Sequence, residues 1–181
     1  MRGRVAPVTV VVVAVVVLAG CAGLPLPADT PALDREVTVI EVVDGDTIDV
    51  RMPDGSEETV RLLGVDSPET YAENDPAEFE GVPDTEAGRE CLRAAGENAT
   101  EFVERRLANG TVRVRTDPEA DRRGSYGRLL GYVVVDNESL NRALVARGHA
   151  RLYDTEFTDR DEYAAAEDRA RAAGRGLWAC A

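Results

Sequence analysis

A chain of 181 residues has the length of one domain plus a short leader, and its 44% hydrophobic content is enough to bury one core. The formal charge is −13, from 34 acidic against 21 basic residues, and every basic residue is Arg, with no Lys. A surface of this single sign repels polyanions in dilute buffer, and the one histidine, His149, excludes zinc sites built on several His ligands and any Ser-His-Asp triad that uses another histidine. The charge is tolerable in concentrated salt, where the Debye length falls to about 3 Å at 1 M. The composition therefore points to an extreme halophile. A GC-rich genome would account for the missing Lys but not for the acidic excess. His149, alone and without partners for catalysis, reads as structural.

In chain order, residues 1–20 read as a leader. Arg2 and Arg4 form a positive start, and Val8 to Ala19 is an apolar run shorter than the ~20 residues a spanning helix needs. Leu18-Ala19-Gly20-Cys21 resembles a lipobox, with Cys21 as the lipidated residue; an uncleaved N-terminal anchor is the alternative. Either places the rest of the chain at the extracellular face of the membrane or secreted beyond it. Residues 21–35, with three prolines between Ala22 and Asp34, read as a tether, and residues 36–181 as the folded domain. Cys91 and Cys180 remain as an even pair in an oxidising compartment, so a disulfide is expected; two free thiols are the alternative.

Glu36 to Val43, Thr47 to Met52 and Glu57 to Leu63 read as three strands joined by the turns Asp44-Gly45-Asp46 and Pro53-Asp54-Gly55. Ser67-Pro68-Glu69 has the form of a helix or turn start, with Ser as N-cap and Pro at the first position. Residues 71–86 are acidic and broken by Asn74-Asp75-Pro76 and Gly81-Val82-Pro83. A solvated surface loop is the reading there, with a second cation site as the alternative. Helix signals dominate from Thr85 to Leu107. Thr111 to Thr116 and Leu129 to Val135 read as the fourth and fifth strands. Ser139 to Ala146 reads as a short helix. A last helix is capped by Thr158 or Asp159 and stops at Gly174 or Gly176, and Leu177-Trp178 packs back. Five short strands with helices after the third and fifth suggest a small Greek-key barrel.

Three segments carry chemistry. They are Asp44-Gly45-Asp46-Thr47, Arg61-Leu62-Leu63-Gly64-Val65-Asp66-Ser67-Pro68-Glu69, and Tyr126-Gly127-Arg128. In this order they resemble the staphylococcal nuclease (thermonuclease) family, over roughly Glu36 to Trp178. The resemblance implies an α+β fold, a five-stranded OB-fold Greek-key β-barrel with about three flanking α-helices. It also implies that Gly96-Glu97-Asn98-Ala99 starts the first main helix. It implies calcium-dependent hydrolysis of DNA, with RNA left open, to products with 3′-phosphate ends, by a likewise expected monomer.

Asp46 and Asp66 match the family's metal carboxylates, and the backbone carbonyl of Ser67 its third ligand; the residues alone would also allow magnesium or manganese. Glu69 matches the catalytic glutamate that orients or deprotonates the attacking water. Arg61 and Arg128 match the phosphate-clamping arginines, whose forked donors suit phosphate. Asp44 and Asp117 are candidates for the outer shell of the metal, and Tyr126 and Tyr153 for lining the nucleotide site. The chain departs from the family in having no Lys near the site and in offering one tyrosine, not two, in Leu152-Tyr153-Asp154-Thr155. The alternative is a catalytically inactive OB-fold module that binds nucleic acid or protein at the cell surface.

Overall fold

The computed structural model describes residues 32–181. The leader at 1–20, lipidation at Cys21 and most of the tether at 21–35 lie outside the described residues.

Strands β1 (Asp34–Val42), β2 (Thr47–Arg51) and β3 (Glu57–Leu62) form an antiparallel meander. The apolar pattern of β1 alternates only weakly because its register against β2 shifts between Val39 and Glu41, a bulge that leaves Ile40 42% exposed. Strand β4 (Val65–Asp66) follows directly, and helix α1 (Glu86–Arg106) lies beyond a short 3-10 turn at Pro76–Glu78. Strand β5 (Thr111–Arg115) pairs with β1, and β6 (Leu129–Val135) pairs with β5. The closing contact is parallel: Val60, Arg61 and Leu62 of β3 face Leu129, Leu130 and Gly131 of β6. The result is a closed mixed barrel of five strands with three flanking helices, an OB-fold α+β architecture.

Asp136 and Asn137, both with positive φ, turn β6 into β7 (Glu138–Ser139). Helix α2 (Leu140–Arg147) is capped by Ser139, whose hydroxyl accepts from the Arg142 N–H. Strand β8 (Arg151–Leu152) pairs with β4, and α3 (Arg160–Ala172) completes the domain before a 3-10 turn at Gly176–Cys180. Strand β6 is nearly all apolar because it is buried between two strands of the barrel and against α2. Val133, Leu140, Leu144 and Val145 are fully buried there.

A second, smaller core gathers Phe79, Val82, Leu92, Ala95, Ala170, Leu177 and Trp178. Beside it Cys91 and Cys180 are joined in a disulfide across 89 residues. This core explains where α1 begins. Thr85 caps the helix by accepting from the Gly88 N–H, and Leu92 and Ala95 of the early turns are buried in the small core. Gly96 therefore lies inside the helix and does not start it. Ser67-Pro68-Glu69, which has the form of a helix start, begins no helix: the Ser67 N–H donates to Asp46, and the chain bends away at Thr70.

Candidate active site

The turn between β1 and β2 is organised by Asp44, whose carboxylate accepts the Asp46 N–H at 2.9 Å. Gly45 is required by space. A Cβ there would lie 2.7 Å from the Ala99 Cβ of α1 and 2.8 Å from the Ser67 side chain. The turn is thus pressed between α1 and the 67–69 segment. Asp46 is 4% exposed. Its Oδ2 accepts the Ser67 N–H at 2.7 Å, and its Oδ1 accepts from Thr47 Oγ1 at 3.1 Å and faces Arg61 Nε at 3.1 Å. Burial pushes the Asp46 carboxyl up to about 7; Arg61 and the Ser67 N–H pull against that, while Asp44 and Asp66 add to it.

Arg61 is the link between the two acidic segments. Its Nη2 donates to Asp66 Oδ1 at 2.7 Å while its Nη1 donates to the Val65 carbonyl at 2.6 Å. The other Asp66 oxygen is held by Arg151 at 2.7 Å. Arg151 stands opposite Asp66 in the β4–β8 pair, and sequence reading does not single it out. Two-residue strands carry no periodic signal, so the register that brings Arg151 to Asp66 is invisible in the chain.

Glu69 is exposed at the edge of this group. Its carboxyl is raised by partial burial and then by Asp44 and Asp66, with Arg61 and Arg128 opposing. Arg128 reaches the same centre because β6 begins one residue later and runs parallel to β3, so Leu130 stands beside Arg61. Its guanidinium lies 5.7 Å from the Tyr126 ring centre and 3.4 Å from Thr47 Oγ1. A cleft of about 230 Å³ opens here, lined by Arg61, Arg128, Tyr126, Tyr153, Gly64 and Thr155. Tyr126 is 85% and Tyr153 51% exposed. Exposed aromatic rings beside two guanidinium groups suit a base next to a phosphate.

The structure thus gathers Asp44, Asp46, Arg61, Asp66, Ser67, Glu69 and Arg128, with Tyr126 and Tyr153 in the adjoining cleft. Asp117 has a different role from the outer-shell place considered for it. It accepts from Tyr132 Oη at 2.6 Å, from the Thr158 N–H and hydroxyl, and from the Glu119 N–H, and so ties β6 to the approach of α3. His149 stacks on Phe102 at 4.6 Å, and burial, with Arg147 and Arg105 nearby, lowers its pKa.

In the acidic loop, Glu73 and Asp84 pair with Arg89, Glu80 with Arg171, and Asp75 accepts the Ala77 N–H. Among the described residues no three His, Cys, Asp or Glu side chains converge to hold a metal ion. The main site offers two carboxylates, Asp46 and Asp66, drawn together by Arg61. That all-oxygen set suits a hard cation, and the raised Asp46 among three further carboxylates marks a place where added positive charge is favourable.

Comparison with known proteins places the chain among relatives. The family model described as Staphylococcal nuclease homologue matches residues 59–180. The uncharacterized protein MJ1439 of Methanocaldococcus jannaschii is 37% identical over 147 residues, covering 77% of this chain and 70% of the relative. The thermonuclease of Staphylococcus hyicus is 32% identical over 149 residues, covering 81% and 78%. The endonuclease YncB of Bacillus subtilis is 32% identical over 145 residues, covering 78% and 61%.

Proposed function

The chain belongs to the staphylococcal nuclease family, and on that premise we propose that it is a calcium-dependent phosphodiesterase that hydrolyses DNA to products with 3′-phosphate ends. Family membership supports nuclease-type activity and interaction with nucleic acid in general. The observation that carries the finer reading is that Arg61 and Arg128, which line one cleft, are brought together by the parallel β3–β6 pair, with Asp46 and Asp66 bonded to Arg61 and Glu69 within the field of both arginines.

Asp46, Asp66 and the Ser67 carbonyl are the groups that would hold the cation. A calcium ion bound there supplies Lewis-acid polarisation of a phosphoryl oxygen and charge for the transition state. Glu69, at the rim and with its carboxyl raised, orients the attacking water and takes its proton as the oxygen bonds to phosphorus. The bond from phosphorus to the 5′ oxygen breaks, that oxygen takes a proton from solvent water to become the 5′-hydroxyl, and the phosphate stays on the 3′ side. Arg61 and Arg128 donate to the phosphoryl oxygens, where developing charge is greatest. Arg61 has to exchange part of its hold on Asp46 and Asp66 for the phosphate, whereas the Arg128 guanidinium is held only by the 3.4 Å contact to Thr47 and its approach to the Tyr126 ring. Tyr126 and Tyr153 stack on the base or sugar.

No Lys draws the polyanion in from a distance, so binding rests on short-range contacts and should persist in molar salt. The apolar leader and Cys21 support a lipid-anchored protein at the extracellular face, and the Cys91–Cys180 bridge suits that oxidising setting. The acidic surface supports a halophilic origin. The test is end-group analysis of cleaved single-stranded DNA in molar salt with calcium. A 3′-phosphate and a 5′-hydroxyl are expected; 5′-phosphate products, or no products under calcium, would refute the reading.

A further inference from the structure

Asn74 reads in the sequence only as part of a breaker in the acidic loop, yet it is 5% exposed. Its side-chain oxygen accepts the Glu69 N–H at 2.7 Å, and its side-chain nitrogen donates to the Glu69 carbonyl at 2.9 Å. One amide therefore satisfies both backbone groups of one residue. Among short side chains only Asn can do this, because it carries an acceptor and a donor side by side; Asp lacks the donor and Ser is too short to span both.

The amide is itself anchored. Asp75 accepts the Ala77 N–H, Pro76 is buried, and Phe79, three residues on, is 2% exposed in the small core with Leu92 and Trp178. From the other side α1 closes on the same backbone. A Cβ on Gly96 would lie 2.4 Å from the Pro68 carbonyl oxygen and 3.3 Å from that of Glu69.

We propose that Asn74 is a positioning residue for Glu69. It fixes the backbone from which the glutamate reaches the water, and the small core, through Phe79, fixes Asn74. The inference rests on the reading of Glu69 as the group that handles the water. It goes beyond that reading by assigning the rigidity of Glu69 to a side chain five residues away.

The full-length protein is assayed on single-stranded DNA in molar salt with calcium, as wild type, Asn74→Ala, Glu69→Gln and the double variant. Asn74→Ala is expected to lower kcat on the order of 10- to 100-fold, as a loosened catalytic group does. KM should stay within about twofold, because the arginines and tyrosines that hold substrate are untouched. In the Glu69→Gln background the same change should cost nothing further; a purely structural role would cost the same factor in both. Wild-type kcat in Asn74→Ala, or equal losses in the two backgrounds, would overturn the proposal. An inactive Glu69→Gln beside a fully active Asn74→Ala would overturn it alone; a fully active Glu69→Gln would overturn the catalytic reading with it. Should Asn74→Ala not fold, Asn74→Gln, which keeps the amide but moves it by one methylene, is read in the same way.

Discussion

Gly96→Ala separates stability from activity. The residue lies mid-helix in α1, where Ala is favoured over Gly by about 1 kcal/mol in an unobstructed helix. Here the added methyl would stand 2.4 Å from the Pro68 oxygen and 3.0 Å from the Pro68 carbonyl carbon. Ordinary carbon contacts need the helix and the 68–69 backbone to part by roughly 1 Å. Overpacking of this kind costs about 1–3 kcal/mol, so the net loss of stability is about 0–2 kcal/mol. The movement falls on the peptide that carries Glu69, and a misplacement of about 1 Å can cost on the order of 100-fold in rate. Thermal unfolding followed by circular dichroism should show a midpoint lower by no more than roughly 8 °C. Turnover of single-stranded DNA, measured well below that midpoint, should fall about 100-fold. Wild-type turnover in a folded Gly96→Ala would refute the argument that the approach of α1 sets the position of Glu69.

Arg128→Ala should reduce turnover about 100-fold or more, the loss expected for one oxyanion donor, with a nearly unchanged unfolding midpoint, since Arg128 makes only a long contact to Thr47 and one to the exposed Tyr126 ring. Arg61→Ala should lose turnover similarly and also destabilise by about 3 kcal/mol, because it strands the buried Asp46 and half of the hold on Asp66; denaturant unfolding distinguishes the two. For Asp117, burial pushes the pKa up but the hydrogen bonds from Tyr132, Glu119 and Thr158 outweigh it, so the folded value lies below the usual carboxylate range. The stability this supplies is complete above the unfolded value of about 3.9 and is lost as pH falls through the folded one. Asp117→Asn should therefore be less stable at neutral pH and show a flatter acid limb in unfolding titrations. Removing the bridge with Cys91→Ser and Cys180→Ser should cost up to about 4.5 kcal/mol by loop entropy for an 89-residue separation, read from denaturant midpoints.

Strand positions were legible where the apolar pattern was dense. Leu129 to Val135 is a strand over its full expected length, and the turn glycines and Asp-Gly pairs mark the meander. The barrel followed from strand count and resemblance, but its closing pair did not. A parallel contact between residues 60–62 and 129–131 leaves no local signature, and it is this contact that puts Arg128 beside Arg61. The segment Ser67-Pro68-Glu69 misleads for a tertiary reason: the Glu69 N–H that a Ser67 cap could take and the Glu69 carbonyl that a helix would use are both held by Asn74. The early start of α1 is similarly tertiary, since Leu92 and Ala95 are buried only because Phe79, Leu177 and Trp178 fold back on them. Asn74 and Arg151 act through pairings that no spacing rule links to Glu69 or Asp66. The catalytic types could be named from motifs, whereas the residues that hold them could be found only in three dimensions.

The most direct test of the central claim compares wild type, Glu69→Gln and Arg128→Ala on labelled single-stranded DNA in molar salt, with calcium and with chelator. The account predicts cutting by the wild type that requires calcium and falls about 100-fold or more in both variants, while all three proteins remain folded. Wild-type cutting in Glu69→Gln, or a folded wild type that binds DNA without cutting it at any salt or metal, would contradict it.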